Sequence, residues 1–344
     1  MRPWRTSFTR TIPGVRVGEM LALAQANLTS PMVLFFVLGF AAALARSDLS
    51  FPEAAAKTLS LYLLFAIGFK GGAGVAEHGI DLTLGLTLVA GTVLSAVIPL
   101  IAFYALRVIS RLSLVDAAAV AAHYGSISIV TFVAATSALT DRGIAFEGYM
   151  VAVAALMETP AILVALWLAR SAIAERPGSG ADGGLLREIM LNGSIVMLTG
   201  AFVIGWITGP AGLAEVSGLI TDPFKGVLCL FLLDMGLVAG RGMRTGGRHL
   251  SLPVILFGLA MPLVGSVLGG VSGALIGLSP GGIALLAVLS ASASYIAVPA
   301  AMRVALPEAN PSIYLTLSLG VTFPFNLAIG IPLYIAMARA LGGG

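Results

Sequence analysis

The segment Ser126-Ile127-Ser128 recurs later in the chain as Ser292-Ala293-Ser294, and several other segments repeat in the same order. The other matching pairs are Leu61–Leu64 with Leu230–Leu233, Asp81–Leu84 with His249–Leu252, Ala134–Ala135 with Ala300–Ala301, and Pro160 with Pro324. The offset between the members of each pair changes by only a few residues, as in an internal duplication with small insertions and deletions. The sequence therefore predicts two copies of one unit, over residues 31–171 and 189–344.

The composition places both copies in a membrane. A mean hydropathy of +1.01, with 58% hydrophobic and 10% charged residues, excludes an ordinary soluble domain. Apolar runs, most of which approach the roughly 20 residues of a spanning helix, lie near 31–45, 55–70, 82–106, 116–138, 148–169, 189–208, 223–239, 251–277, 282–305 and 312–338. We therefore predict an all-α membrane protein with ten transmembrane helices. An odd number of spans in each copy turns the second upside down, giving the 5+5 inverted repeat that is typical of secondary transporters.

The flanking segments suggest how the chain is oriented. Residues 1–30 form a predicted N-terminal arm with an interfacial helix, and residues 172–188 form a Gly-rich, cytoplasmic linker between the repeats. Outside the arm, Lys and Arg are more frequent in the loops opposite the termini than in those on the same side. The positive-inside rule then predicts periplasmic termini for a multi-pass protein of a bacterial cytoplasmic (inner) membrane.

Two predicted spans carry small hydroxyl residues near their midpoints, one within Asp116–Thr131 and one within Leu289–Pro299. If both helices break there and cross, their half-helix N-termini present free N–H donors and partial positive charge at one place. The sequence thus predicts a small-anion site. Its candidate residues are Gly125, Ser126, Ile127, Ser128, Ser292, Ala293, Ser294 and Tyr295. The alternative is close helix packing, because serine and glycine are also common at membrane helix contacts.

A coupling-cation site is predicted where two spans contain proline. Glu158 precedes Pro160, and Asn326 follows Pro324 at the matching place in the second repeat. Proline frees backbone carbonyls, while a carboxylate and an amide supply the hard oxygen ligands that Na⁺ requires. The predicted sodium ligands are Thr131, Glu158, Thr322 and Asn326. The alternative for Glu158 is a neutral, hydrogen-bonded structural acid.

Other polar residues of the spans are His123 and Asp234. Asp234 is expected to pair with Lys70 or with a neighbouring hydroxyl. His123 lies one helical turn before Ser126, and we interpret it as a packing histidine. A lone His-Ser pair is weak evidence for a hydrolase, because no third group is visible to orient the base. The sequence contains no dinucleotide fingerprint, metal-ligand spacing or nucleic-acid footprint, and we predict neither an enzyme nor a cofactor other than the coupling sodium ion.

At these residues the chain resembles the SbtA-type sodium-dependent bicarbonate transporter family, over residues 30–340. The segments that carry the resemblance are Leu61–Gly72, His123–Ser128, Met157–Pro160, Ser290–Pro299 and Ala309–Ser312. The resemblance implies ten helices in core and gate domains, a homotrimer, and bicarbonate uptake driven by sodium. It also implies regulation by a PII-like nucleotide-binding protein on the cytoplasmic face.

The leading hypothesis is therefore sodium-coupled symport of a small anion, with bicarbonate as the expected substrate. Val130, Tyr295 and Val298 depart from the family pattern, which leaves transport of a different small anion open. A proton-coupled cation exchanger on the same fold needs titratable carboxylates at the crossing helices, and the predicted breaks have none. A non-transporting membrane sensor of anions is a further alternative, although the short loops offer little signalling surface.

Overall fold

The computed structural model describes residues 29–79, 81–173, 193–246, 250–295, 298–299, 302 and 306–342. All regular structure within these residues is helical, which confirms the prediction of an all-α protein. Nearly all of the predicted N-terminal arm, residues 1–28, lies outside the described residues. The same is true of most of the predicted linker, residues 174–188.

The helices follow the predicted apolar runs. In chain order they are α1 (Pro31–Leu44), α2 (Glu53–His78), α3 (Leu82–Ile109), α4 (Leu114–Gly125), α5 (Ile129–Asp141), α6 (Met150–Leu156), α7 (Thr159–Ile173), α8 (Gly193–Ile220), α9 (Phe224–Gly246), α10 (Leu252–Ile276), α11 (Pro280–Ala291) and α12 (Pro311–Leu341). Among the described residues, eight helical segments are long and apolar enough to cross a membrane, and α1 and α11 are shorter apolar helices. The chain is a multi-pass membrane protein.

The helices that precede the two predicted breaks start in the same way. Ser113 caps α4 by accepting a hydrogen bond from the N–H of Asp116, at 3.0 Å. Ser279 caps α11 by accepting from the N–H of Gly282, at 3.1 Å, and Pro280 occupies the first turn. Serine satisfies an otherwise unpaired N–H group at a helix start, so these caps determine where each helix begins.

Glycine lets two pairs of helices pack with their backbones in contact. A Cβ atom added to Gly72 of α2 would lie 1.9 Å from the carbonyl oxygen of Phe202 in α8. A Cβ atom added to Gly236 of α9 would lie 2.1 Å from the carbonyl oxygen of Phe36 in α1. No side chain fits at such distances, so α2–α8 and α1–α9 are closely joined pairs.

The remaining helices pack in two similar groups. In the first half α3 packs on α4 and on α7, and α4 packs on α7. In the second half α10 packs on α11 and on α12, and α11 packs on α12. The two groups meet where α3 contacts α10 and where α5 contacts α11. The middle of the α4–α5 segment is enclosed by this packing, since residues 117–135 are all buried.

Helix α8 is bent back on itself rather than being one long span. Gly209 has φ 63° and ψ −159°, and Pro210 follows it. Gly209 lies beside Ala76 near the end of α2, yet the carbonyl of Leu219 accepts a hydrogen bond from the Tyr62 hydroxyl. Tyr62 precedes Ala76 by almost four helical turns, about 20 Å along α2. The part of α8 after Gly209 therefore runs back along α2, and α9 begins beside Lys70 instead of at the end of α2.

Candidate anion site at two broken helices

Both predicted interruptions are present. Helix α4 ends at Gly125, the chain is extended from Ser126 to Ser128, and α5 starts at Ile129. Helix α11 ends at Ala291, and Ser292 is extended, with φ −85° and ψ 160°. Within the described part of the following segment, Val298, Pro299 and Met302 are helical again.

The two breaks contact each other directly. The N–H of Ser128 donates to the Oγ of Ser292 at 2.9 Å, and the N–H of Ser294 donates to the carbonyl oxygen of His123 at 2.7 Å. The four serines of the predicted anion site are at most 3% exposed. The structure therefore brings the residues around Ser128 and those around Ser294 together in a buried region.

Each break is supported by a close contact with the preceding helix. A Cβ atom added to Gly125 would lie 2.0 Å from the ring Cγ of Pro99 in α3. At the matching place in the second half, a Cβ atom added to Gly265 of α10 would lie 1.9 Å from the carbonyl oxygen of Ser290. The small residue is on the broken helix in one half and on the supporting helix in the other, and in both cases it lets the two helices touch.

Several hydrogen-bond donors at the breaks have no acceptor. Among the described residues, the buried hydroxyl of Ser126 has no hydrogen-bond partner, and the buried hydroxyl of Tyr295 lies near Ser128 without forming a hydrogen bond of normal geometry. No acceptor among the described residues pairs with the N–H groups of Ile129 and Val130 in the first turn of α5. An unsatisfied buried donor costs about 1–3 kcal/mol. Donors gathered at a buried helix N-terminus provide a suitable site for an anion.

Three of the four predicted sodium ligands already make hydrogen bonds at or near the breaks. The Thr131 hydroxyl donates to the Oγ of Ser128 at 2.9 Å. The amide nitrogen of Asn326 donates to the carbonyl of Ala291, the last residue of α11, at 2.9 Å, and its Oδ1 accepts from the Tyr334 hydroxyl. The remaining threonine, Thr322, donates to the carbonyl of Gly258 at 2.8 Å and is also paired with the Tyr124 hydroxyl.

The fourth predicted ligand, Glu158, lies in a break between α6 and α7. Its side chain is buried, with 6% exposure, and forms no hydrogen bond with the described residues. The carbonyl of Met157 beside it accepts from the Ser95 hydroxyl at 2.6 Å. In the second half the matching proline, Pro324, does not break α12; instead π-helical turns precede and follow it, at Ser318–Thr322 and Asn326–Gly330. Turns of this type frequently mark functional sites.

Comparison with known protein families agrees with this architecture. The family model of the Na⁺-dependent bicarbonate transporter superfamily matches residues 31–339. The chain belongs to this superfamily. The family resemblance predicted from the sequence is thereby confirmed, and it supports a transporter rather than an enzyme. No curated protein matches the chain.

In this bicarbonate-transporter-superfamily member, His123 is a packing residue. Its ring stacks on Tyr314 with the centroids 4.5 Å apart, and its Nδ1 lies 2.6 Å from the carbonyl oxygen of Ala119. A carbonyl only accepts, so Nδ1 carries the proton and Nε2 does not in the neutral ring. Neither Nε2 nor the Ser126 hydroxyl has a hydrogen-bond partner, so the two do not form a nucleophile–base pair.

Of the two alternatives predicted for Asp234, a pairing with Lys70 or with a neighbouring hydroxyl, the pairing with Lys70 is wrong. The Nζ of Lys70 lies 4.8 Å from the ring centroid of Phe224, at the start of α9. Asp234 is nearly three turns further along α9, about 15 Å away. Arg241, two turns further along the same helix, is a cation that interacts electrostatically with the buried Asp234 carboxyl.

Sequence reasoning missed two groups that hold the site together. The Tyr124 hydroxyl joins the end of α4 to Thr322 in α12, and the carbonyl of His123 accepts from the opposite break. Tyr124 directly precedes Gly125, and a buried tyrosine hydroxyl usually has a hydrogen-bond partner. That tendency could have identified Tyr124 as a contact of the break. The acceptor role of a backbone carbonyl carries no comparable signal in the sequence.

Proposed function

We propose that this protein is a sodium-coupled symporter that takes up a small anion, with bicarbonate as the substrate. The observation that carries the proposal is the buried meeting of two broken helices, where several donors have no partner among the described residues and neither break carries an acidic residue of its own. A cation exchanger would need acidic ligands at this place. Gly125–Thr131 and Ser292–Tyr295 contain none.

The packing supports an inverted repeat as the basis of transport. If the first to fifth spans correspond to the sixth to tenth, α1 corresponds to α8 and α2 corresponds to α9. A pseudo-two-fold axis would then map the pair α1–α9 onto the pair α2–α8, and both pairs are observed. The groups around α4 and around α11 exchange in the same way. We propose that these two groups form a core domain that moves against a gate domain of α1, α2, α8 and α9.

We propose that the anion is bound by the hydroxyls of Ser126 and Tyr295 and by the N–H groups of Ile129 and Val130. Bicarbonate has one negative charge and three oxygens, so it can accept from several of these donors at once. The N-terminus of α5 adds partial positive charge. The hydroxyls of Ser128, Ser292 and Ser294 accept hydrogen bonds within and between the two breaks, and we propose that they hold the breaks together.

Sodium binding by Thr131, Glu158, Thr322 and Asn326 is also a proposal. A hydroxyl that donates its proton keeps a lone pair for a cation, so the Thr131 oxygen remains available despite its bond to Ser128. The Oδ1 of Asn326 accepts one hydrogen bond and can take a further ligand. Glu158 supplies the negative charge that this set otherwise lacks.

We further propose that both termini are periplasmic. The guanidinium of Arg241 donates to the carbonyl of Leu49, in the loop after α1, and that of Arg244 donates to the carbonyl of Ala43, in the last turn of α1. Arg46, in the turn after α1, and Arg107, in the last turn of α3, are on the same side. An excess of arginine marks the cytoplasmic face.

The central test is transport by the purified protein in liposomes. We expect labelled bicarbonate to enter faster with an inward sodium gradient than with a matched choline gradient. Sodium-independent entry in vesicles that retain a trapped dye would contradict coupling. If no bicarbonate enters but nitrate or another small anion does under the sodium gradient, the substrate assignment is wrong while the site remains.

Replacement of Ser126 by alanine tests the anion site. Because the Ser126 hydroxyl has no partner among the described residues, its loss should leave thermal stability unchanged or raise it. A donor to a charged ligand contributes about 1.5–3 kcal/mol, so the substrate concentration for half-maximal uptake should rise roughly tenfold or more. The matched control is Ser266→Ala, whose hydroxyl donates to the carbonyl of Leu263 in its own helix. Equal uptake by both variants would place the anion elsewhere.

A further inference from the structure

A cavity lies between the proposed gate and core, away from the two breaks. Its volume is about 300 Å³, and α2, α5, the start of α6 and the turn before α9 contribute its walls. Asp222 and Lys225 stand at its rim and are exposed to solvent, and Lys70 is half-buried within it. The cavity therefore reaches from the side on which α5 ends towards the middle of α2.

Lys70 is a cation without a counter-ion in this cavity. The ring of Phe224 is 4.8 Å from its Nζ, and no acidic side chain of the described residues forms an ion pair with it. The other lysine of the cavity, Lys225, is paired with Asp141. Asp222 is at the exposed rim and is not paired with Lys70. An ammonium within a membrane span is costly and usually marks a pathway or a ligand.

Hydroxyl groups on one face of α5 line the cavity opposite Lys70. Thr136 and Thr140 donate to carbonyls of their own helix. The Ser137 hydroxyl is buried and has no hydrogen-bond partner in the part of the chain that the structure describes, so it has a proton available for a ligand. The first turn of α5, at Ile129, belongs to the proposed anion site. Ser137 is a little over two turns away, about 12 Å along the helix.

We propose that this cavity is a second, weaker binding site for small inorganic anions, in which the Lys70 ammonium balances the charge and the Ser137 hydroxyl donates a hydrogen bond. The site concentrates the anion before it reaches the broken helices. Anion binding here follows from the local charge alone, whereas its role in uptake rests on the proposed function.

The reaction rates of charged thiol reagents report the electrostatic potential in the cavity without relying on transport. In a Cys229→Ser background, Thr140→Cys places a thiol at an exposed position on the cavity wall. We compare its reaction rates with the sulfonatoethyl and trimethylammonioethyl methanethiosulfonates, using the full chain in lipid nanodiscs. Adding Lys70→Met should lower the anionic-to-cationic rate ratio by about tenfold, since one charge a few ångströms away changes each rate several-fold. Lys70→Arg should preserve the ratio, and Asp222→Asn should raise it.

A neutral methyl methanethiosulfonate controls for access, and its rate should be the same in all variants. A rate ratio that is unchanged by Lys70→Met would overturn the site. Sodium bicarbonate and sodium nitrate, compared with sodium gluconate at equal ionic strength, should protect the thiol, and protection should disappear in Lys70→Met. Protection that persists in Lys70→Met would assign binding to other groups.

Uptake measurements test the role in transport separately. Lys70→Met should raise the bicarbonate concentration for half-maximal uptake about fivefold and leave the maximal rate within about twofold. Lys70→Arg should behave as the native protein. A fall in the maximal rate alone would indicate that Lys70 acts in the conformational change and does not bind the anion. If neither the native protein nor any variant transports bicarbonate, the proposed function fails. The thiol experiment still tests whether the cavity binds anions.

Discussion

Replacing Gly265 with alanine should nearly abolish uptake. The new methyl group would lie 1.9 Å from the carbonyl oxygen of Ser290 and 3.2 Å from the Cα of Ala291, so the backbone of α11 has to move. Forcing atoms into a packed interface costs about 1–3 kcal/mol. Because α11 ends in the break, the displacement also shifts Ser292 away from the N–H of Ser128. We expect at least a roughly tenfold loss of the maximal uptake rate and a lower melting temperature.

The matched control for Gly265→Ala is Gly270→Ala on the same helix. There the nearest atom to an added Cβ is the Cε of Met337, at 2.5 Å, the end of a flexible side chain that can turn away. Alanine also favours helix over glycine by about 0.8–1.0 kcal/mol. Gly270→Ala should therefore retain both stability and uptake. Similar behaviour of the two variants would show that α10 is not a rigid support of the break.

Replacing Glu158 with glutamine should weaken sodium binding. The amide keeps the shape of the side chain but lacks the negative charge that holds a cation. A lost charged ligand corresponds to at least 1.4 kcal/mol, so the sodium concentration for half-maximal uptake should rise tenfold or more. If Glu158 is instead a neutral structural acid, glutamine can replace it with little change in sodium dependence.

Glu147→Gln is the control for that measurement. Glu147 accepts from the N–H of Ser279 at 2.7 Å and from the Ser279 hydroxyl at 3.1 Å, and it joins two loops outside the spans. Its replacement should cost some stability through weaker loop contacts and leave the sodium dependence unchanged. An equal loss of sodium dependence in both variants would indicate that general damage, and not ligand loss, explains the Glu158 result.

The sequence predicted the breaks well because local chemistry encodes them. Gly125 ends α4, and the serines next to both breaks can satisfy the freed backbone groups, whatever the rest of the fold does. Pro299, in contrast, is helical and lies after the second break. The predicted sixth run, 189–208, likewise ends just before Gly209, where α8 turns back. Glycine followed by proline is a strong local signal for such a turn.

The sequence was less informative about partners that the fold brings together from distant positions. Asp234 and Lys70 have opposite charges in adjacent spans, but the depth at which α9 begins keeps them apart. That depth depends on the return of α8 along α2, which no periodic pattern reveals. The hydrogen bonds of Asn326 to Ala291 and of Tyr124 to Thr322 also depend on tertiary packing between remote parts of the chain.

The burial of the middle of α4–α5 has a consequence for the membranes in which this protein can work. Residues 117–135, which include the proposed anion-binding break, are all buried, whereas only 22% of the spanning stretch of α8 is buried inside the chain. The proposed anion site is therefore shielded from lipid, and α8 lies at the outer surface of the chain. A change in bilayer thickness is accommodated by tilting or snorkelling of the helices at the lipid boundary. Substrate affinity should therefore be insensitive to acyl-chain length, and thickness should affect mainly the speed at which the outer helices rearrange.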